Sequence, residues 1–157
     1  MRRNAQQLSE TVCRSILETR SVGVLSLIGD GGYPYGVPLN FVYRNDKLYF
    51  HCAQEGHKLD ALRLDGKACF TVVAEDTVLE ERYTTAYRSV IVFGRAAVAE
   101  DPAERRDALL ALAKKYAPNR PEAEWRQKAE SCEKALLIRL TVEHLAGKQG
   151  KALLPKA

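Results

Sequence analysis

Eight consecutive residues, His51-Cys52-Ala53-Gln54-Glu55-Gly56-His57-Lys58, gather more chemically capable side chains than any other stretch of this chain. They follow an aromatic strand pattern, Leu48-Tyr49-Phe50, and open Lys58-Leu59-Asp60-Ala61-Leu62-Arg63, whose spacing reads as a short helix. The first backbone N–H groups of a helix lack internal partners, and together with the helix dipole they attract anions. A lysine in that first turn opposes the dipole by about a few tenths of a kcal/mol, a sign that a bound phosphate reverses. Lys58 is therefore the candidate phosphate-binding cation, and a phosphate-bearing cofactor is the natural ligand class. His57 could be a polar helix-start residue, a hydrogen-bond donor to the phosphate, or a proton donor at the substrate, which makes it the candidate catalytic group. His51 ends its strand either as a structural histidine facing the barrel or as a cofactor contact.

Other chemistries find less support. His51, Cys52 and His57 suit zinc by type, but structural zinc sites draw on paired motifs and no second pair exists, so no metal is expected. Gly29-Asp30-Gly31-Gly32 resembles a phosphate-cradling loop only superficially. It lacks a lysine and no helix follows, so it reads as a hairpin turn. No Ser-His-Asp or Cys-His-Asp set stands out to support hydrolysis.

The 157 residues are expected to form one domain with a basic tail over about 147–157; 46% are hydrophobic and 28% charged, ordinary globular values. A net charge of +4 suits small anions but not nucleic acid, and no basic-aromatic stripe accompanies it. Cys13, Cys52, Cys69 and Cys132 lie far apart, Met1-Arg2-Arg3 runs into polar residues, and no apolar run reaches membrane-spanning length. The expectation is a cytoplasmic protein with reduced thiols and no membrane partner, with Cys13, Cys69 and Cys132 filling core.

The elements that must position these residues follow from periodicity. Leu8, Val12, Cys13, Ile16 and Leu17 recur at helical spacing, and residues 21–28 form a strand. Tyr35, Val37, Leu39, Phe41 and Tyr43 alternate as one strand, which Pro34 and Pro38 push to an edge or bulge. Arg44-Asn45-Asp46-Lys47 turns into the strand 48–52. Strands are expected over 67–75 and 87–98, with Gly94 marking a bulge or bend and the polar residues 76–85 reading as a mobile loop. Asp101-Pro102-Ala103-Glu104 starts a helix reaching about Tyr116. A helical piece around Trp125 and a strand over 135–142 complete the chain, with Tyr116 and Trp125 anchoring the helices to the barrel. Six strands joined mostly by hairpins do not suit a parallel βαβ sheet; they suit a six-stranded antiparallel barrel, mainly β, with flanking helices.

The proline-containing strand Tyr35-Gly36-Val37-Pro38-Leu39-Asn40-Phe41, the strand Leu48-Tyr49-Phe50-His51 and the segment Glu55-Gly56-His57-Lys58-Leu59-Asp60 together resemble the pyridoxamine 5′-phosphate oxidase-like superfamily. More narrowly the chain resembles the nitroimidazole-resistance (Nim-type) flavoproteins, a resemblance that includes Tyr87 to Gly94 and Ala146-Gly147-Lys148. The resemblance implies an FMN-binding split barrel, dimeric, with two flavin sites shared across the subunit interface. It places the phosphate at Gly56-His57-Lys58 and the isoalloxazine along Val37, Pro38, Leu39 and Asn40 and the strand end His51, Cys52 and Ala53, with Ser89 and Val90 near the same pocket. Cys52 would be a small residue that lets the flat ring approach. The implied activity is FMN-dependent reduction of a small electron acceptor such as a nitroaromatic, with a nicotinamide dinucleotide as donor. The alternative is a flavin- or haem-binding module without turnover. The C-terminal Arg and His of the vitamin B6 oxidases have no match in Arg139 to His144, so the resemblance does not extend to that substrate.

Overall fold

Alternation carries straight through residues 34–44, yet the chain does not make one strand there. The computed structural model describes residues 4–132 and 135–154. In it the expected strand breaks at Phe41 into β2 (Pro34–Asn40) and β3 (Val42–Arg44). The remaining strands are β1 (Val22–Ile28), β4 (Lys47–Cys52), β5 (Lys67–Leu79), β6 (Thr84–Val98) and β7 (Leu136–Gln149). All seven join one antiparallel sheet in the order β2-β1-β5-β6-β7-β4-β3. Its two edges, β2 and β3, are consecutive in the chain and separated by Phe41 alone. The sheet must therefore curl until its edges meet, closed by a covalent link rather than a hydrogen-bonded ladder. That is a split barrel, with seven strands where the sequence suggests six.

Inward-facing residues fill the barrel. Phe41, Phe50 and Phe70 are fully buried, with ring centroids 4.8 Å apart for Phe41–Phe70 and 4.9 Å for Phe50–Phe70. Burying each such ring contributes about 1.5–3 kcal/mol. Helix α1 (Glu10–Thr19), capped by the Ser9 hydroxyl accepting from the Val12 amide at 3.3 Å, adds Cys13, Ile16 and Leu17 to this core. Helix α2 (His57–Leu64) adds Leu59 and Ala61 and begins one residue earlier than the sequence suggests.

A second, smaller core lies outside the barrel. Val42, Tyr49 and Leu137 project from the outer faces of β3, β4 and β7 and are covered by Ala108, Leu109 and Ala111 of α3 (Pro102–Tyr116) and Ala129 of α4 (Glu122–Ser131). Helix α3 starts as its sequence dictates: Asp101 accepts from the Glu104 amide at 2.7 Å and Pro102 occupies the first turn. The outer faces of β1, β5 and β6 carry no such cover. Val22, Val24, Ile28, Val73 and Phe93 each expose at least 40% of their surface.

Three expectations need correction. The polar stretch 76–85 is not a loop; Asp76 to Leu79 pair with Thr84 to Tyr87 in a long hairpin turned by Tyr83 at φ 46°. Residues 147–149 belong to the sheet rather than to the basic tail expected over 147–157, because they finish β7 and the Leu8 amide donates to the Gly147 carbonyl at 3.0 Å; residues 155–157 lie outside the described part. Cys69 and Cys132 are only half-buried, whereas Cys13 is core, and all four cysteines are free.

Gly94 does mark the bulge. Register shifts there, so that Phe93 faces His144 while Gly94 faces Val142, leaving Glu143 as the extra residue. A Cβ on Gly94 would sit 1.9 Å from the Thr141 carbonyl oxygen, and backbone cannot move aside as a side chain can. Gly94→Ala is expected to cost about 3 kcal/mol or more, read as a lowered denaturant midpoint; an unchanged midpoint would contradict the tight approach of β6 to β7.

Candidate functional site

β2 is an edge strand, which accommodates Pro34 and Pro38 without the loss of a ladder bond that an inner strand would suffer. The β2–β3 seam is held from outside. Tyr116, the last residue of α3, accepts from the Phe41 amide at 2.8 Å, and its own hydroxyl proton reaches the carbonyls of Phe41 (2.9 Å) and Ser21. The Asn40 side-chain amide donates to the same Ser21 carbonyl at 3.1 Å.

Beside this seam lies a cavity of about 980 Å³ between the barrel and the α3–α4 hairpin. Pro38, Leu39, Asn40 and His51 form its barrel side. Leu109, Leu112, Ala113, Tyr116 and Trp125 form much of the helical side. Trp125 is fixed by its indole N–H donating to the Ala117 carbonyl at 2.8 Å, and the Lys114 ammonium lies 5.4 Å from its ring centroid.

The start of α2 leaves amides free in its first turn. Gly56 has φ 131°, which favours glycine, and nothing lies within 4 Å of where its Cβ would be. The amides of Leu59 and Asp60 turn back to the Gly56 carbonyl, at 2.8 and 3.3 Å. The amides of His57 and Lys58 precede them in the first turn, where the helix provides no acceptor. Lys58 is half-buried and its charge opposes the effect of burial on the Cys52 thiol, which burial pushes up.

The residues singled out from sequence thus fall into three groups. Pro38, Leu39, Asn40 and His51 meet at the cavity, with Val37 beside them turned into the core. His51 is exposed and so does not face the barrel interior, while Cys52 is buried in it and Ala53 is exposed. Gly56, His57 and Lys58 sit at the helix start. The His57 ring packs edge-on against Tyr35 at 4.4 Å, its Nδ1 is 3.6 Å from an Asp30 carboxylate oxygen, and its Nε2 lies over Gly29. Ser89 and Val90 form the third group on β6; Val90 is fully buried and Ser89 half-buried, and neither lines the cavity. Among the described residues no cluster of three or more His, Cys, Asp or Glu could hold a metal ion, and no helix is long and apolar enough to cross a membrane.

Sequence reasoning missed the helical wall. Leu109, Leu112, Ala113 and Tyr116 recur at spacings of three and four, the stripe of a helix that buries one face, but periodicity does not say what that face meets. Tyr116 does anchor the helices to the barrel, as its type suggested. Glu104 is the other anchor: its carboxylate receives Lys47 (2.8 Å), the Tyr49 hydroxyl (2.7 Å) and Arg139 (2.8 Å).

The family model described as pyridoxamine 5′-phosphate oxidase matches residues 9–149, and the chain belongs to that family. Its fold recurs in a Bacteroides thetaiotaomicron protein provisionally named for 5-nitroimidazole antibiotic resistance (TM-score 0.73, 23% identity, covering 91% of this chain and 86% of that one). A Mesorhizobium loti FAD-binding protein is similar at TM-score 0.68 and 25% identity, over 93% of this chain and 98% of that one. An FAD and haem binding protein of Mycobacterium smegmatis is similar at TM-score 0.75 and 25% identity, over 97% and 77% respectively. No curated protein matches the sequence.

Burial alone would push the Glu104 carboxyl up, but its hydrogen bonds from Lys47, Tyr49 and Arg139 outweigh that and hold it down at about 2, below the ordinary 4.5. A depressed carboxyl stabilises the fold above its unfolded pKa, so this contribution is complete above pH 4.5 and is lost as pH falls towards 2. Glu104→Gln is expected to destabilise the neutral-pH fold by about 2 kcal/mol and to flatten the stability profile between those two values. Denaturant melts across that range check it, and parallel acid limbs for variant and parent would refute it.

Proposed function

We propose that this protein is a homodimeric, FMN-dependent oxidoreductase that takes electrons from a nicotinamide donor and passes them to a small acceptor such as a nitroaromatic. One observation carries the reading: an apolar cavity is floored by the edge strand Pro38 to Asn40 and by His51 at the end of β4, and the chain continues from that strand end into the glycine-opened start of α2, which bears Lys58. The two ends match an amphiphilic ligand with a flat apolar ring and a dianionic tail. Family membership and neighbours named for binding FAD support a flavin as the ligand class.

When bound, FMN supplies reversible acceptance of one or two electrons, and the protein supplies the setting. Lys58 would offset the charge of the phosphate, and the His57 and Lys58 amides would donate hydrogen bonds to it. The free edge of β2 would offer backbone groups to the polar rim of the ring, and the helical wall would exclude water. His57 faces Asp30 and Gly29, so it belongs first to the anion end; donating a proton to substrate would require its ring to swing away from Tyr35. Ser89 lies three strands from β2 in the sheet order, roughly 14 Å at ordinary strand spacing. A Ser89 contact with flavin therefore belongs to a site shared with a second copy. The uncovered face of Val22, Val24, Ile28, Val73 and Phe93 is the surface such a copy would bury, since exposed apolar patches of this kind mark association surfaces.

Purified protein is expected to carry about one FMN per chain, identified by absorption and mass spectrometry, and to bleach on anaerobic addition of NADH or NADPH. Persistent colour with either donor would favour carriage of flavin or haem without turnover. Lys58→Ala is expected to weaken FMN retention at least about tenfold, the loss of one charge-assisted contact to phosphate, with the melting temperature of the apoprotein unchanged. A variant as tightly loaded as the parent would remove Lys58 from the site. Light scattering is expected to give a dimer, and Val24→Glu a monomer; a parent that is monomeric at micromolar concentration would remove the shared site.

A further inference from the structure

The cavity beside β2 is larger than one flat ring requires, because small-molecule sites range over roughly 300–1,000 Å³ and this one, at about 980 Å³, lies at the upper end. Its helical wall also has a charge pattern of its own. Arg120, Glu124 and Lys128 stand along that wall. Glu124 is tied to Arg120 at 2.8 Å, so that pair is neutral. Lys128 has no carboxylate partner among the described residues. The remaining surface is dominated by apolar groups, with Trp125 as the largest.

We propose that this chamber takes a second small molecule beside the flavin: a planar, largely apolar ring compound bearing one anionic substituent, which is the acceptor class of the enzyme. The proposal rests on the flavin reading for the floor of the chamber. Trp125 and Leu112 offer the ring an apolar surface, and Lys128 meets the negative group. A cation is disfavoured, because the one carboxylate among the described wall residues, Glu124, is already neutralised by Arg120 while Lys128 adds positive charge. Lys128 and Trp125 are thus specificity-determining residues that no sequence motif marked.

Trp125 is the only tryptophan in the chain, so its emission reports on the chamber directly. The flavin-loaded protein, without reductant, would be titrated with 4-nitrobenzoate, neutral 4-nitrotoluene and cationic 4-nitrobenzylammonium, three probes of similar shape whose nitro group quenches indole. Saturable quenching is expected from the first two, with the cation at least tenfold weaker than the anion. Lys128→Gln should weaken 4-nitrobenzoate about tenfold and leave 4-nitrotoluene unchanged, and Ala113→Leu, which fills the chamber, should weaken both. Linear, non-saturating quenching by all three probes would overturn the proposal, as would a cation that binds as tightly as the anion or a Lys128→Gln variant that binds 4-nitrobenzoate unaltered. Flavin content is read separately from the visible absorption of the same samples. A colourless protein that still binds 4-nitrobenzoate fails the flavin reading and not the anionic-ring chamber, while a loaded protein that binds no probe fails only the latter.

Discussion

The structure turns on how the chain crosses from one edge of its sheet to the other in a single residue. β2 and β3 are the two ends of the sheet order, and Phe41 alone joins them. A ladder cannot seal such a seam, so the polar groups of the crossing need partners from elsewhere. Tyr116 serves both the N–H and the carbonyl of Phe41, and Lys115 lies over the Phe41 ring at 4.1 Å with its ammonium 3.4 Å from the Leu17 carbonyl at the end of α1. Burial pushes that lysine down to about 8 from 10.5, a penalty offset by the ring face and by the negative end of the α1 dipole. The end of α3 is thereby locked onto the seam.

That lock creates the cavity. Because α3 must end at Phe41, and Glu104 near its start must reach Lys47, Tyr49 and Arg139 on β4 and β7, the helix lies across one half of the barrel exterior. Helix α4 returns beside it, and the space between the hairpin and the free edge of β2 is left open. The other half of the exterior stays bare, with its valines and Phe93 in solvent. One arrangement therefore leaves both an open cavity and a bare apolar face.

The sequence made most elements legible because local rules agreed with the fold. Asn45 and Asp46, both at positive φ, make the two-residue hairpin their types suggest, and Asp101 and Pro102 start α3 as expected. The strand break has no sequence signal because Phe41 keeps the inward parity of Tyr35, Val37 and Leu39; period-two alternation reports which face a residue takes, not which neighbour its backbone pairs with. β7 looked too short because the bulge at Glu143 shifts its phase midway. The 76–85 hairpin reads as a loop in the sequence because Asp76 to Val78 and Glu80 to Thr84 are exposed and show no apolar alternation.

The site was legible in halves for a related reason. A glycine-opened helix start with a cation is a local pattern, and Gly56, His57 and Lys58 are contiguous, so sequence can display it. The chamber depends on residues some 70 to 90 positions apart, Pro38 and Asn40 against Leu112 and Trp125, brought together only by the lock of Tyr116 on the seam. Nothing local distinguishes a stripe that packs on a sheet from one that walls a cavity, since both bury the same face of a helix. His57 shows the converse limit: its type and position promise chemistry, but the β1–β2 turn brings Asp30, Gly29 and Tyr35 around its ring and directs both nitrogens away from the cavity. Spacing along the chain places a helix start at Lys58, one residue after the observed one, and the contacts with Asp30, Gly29 and Tyr35 decide which way the histidine faces.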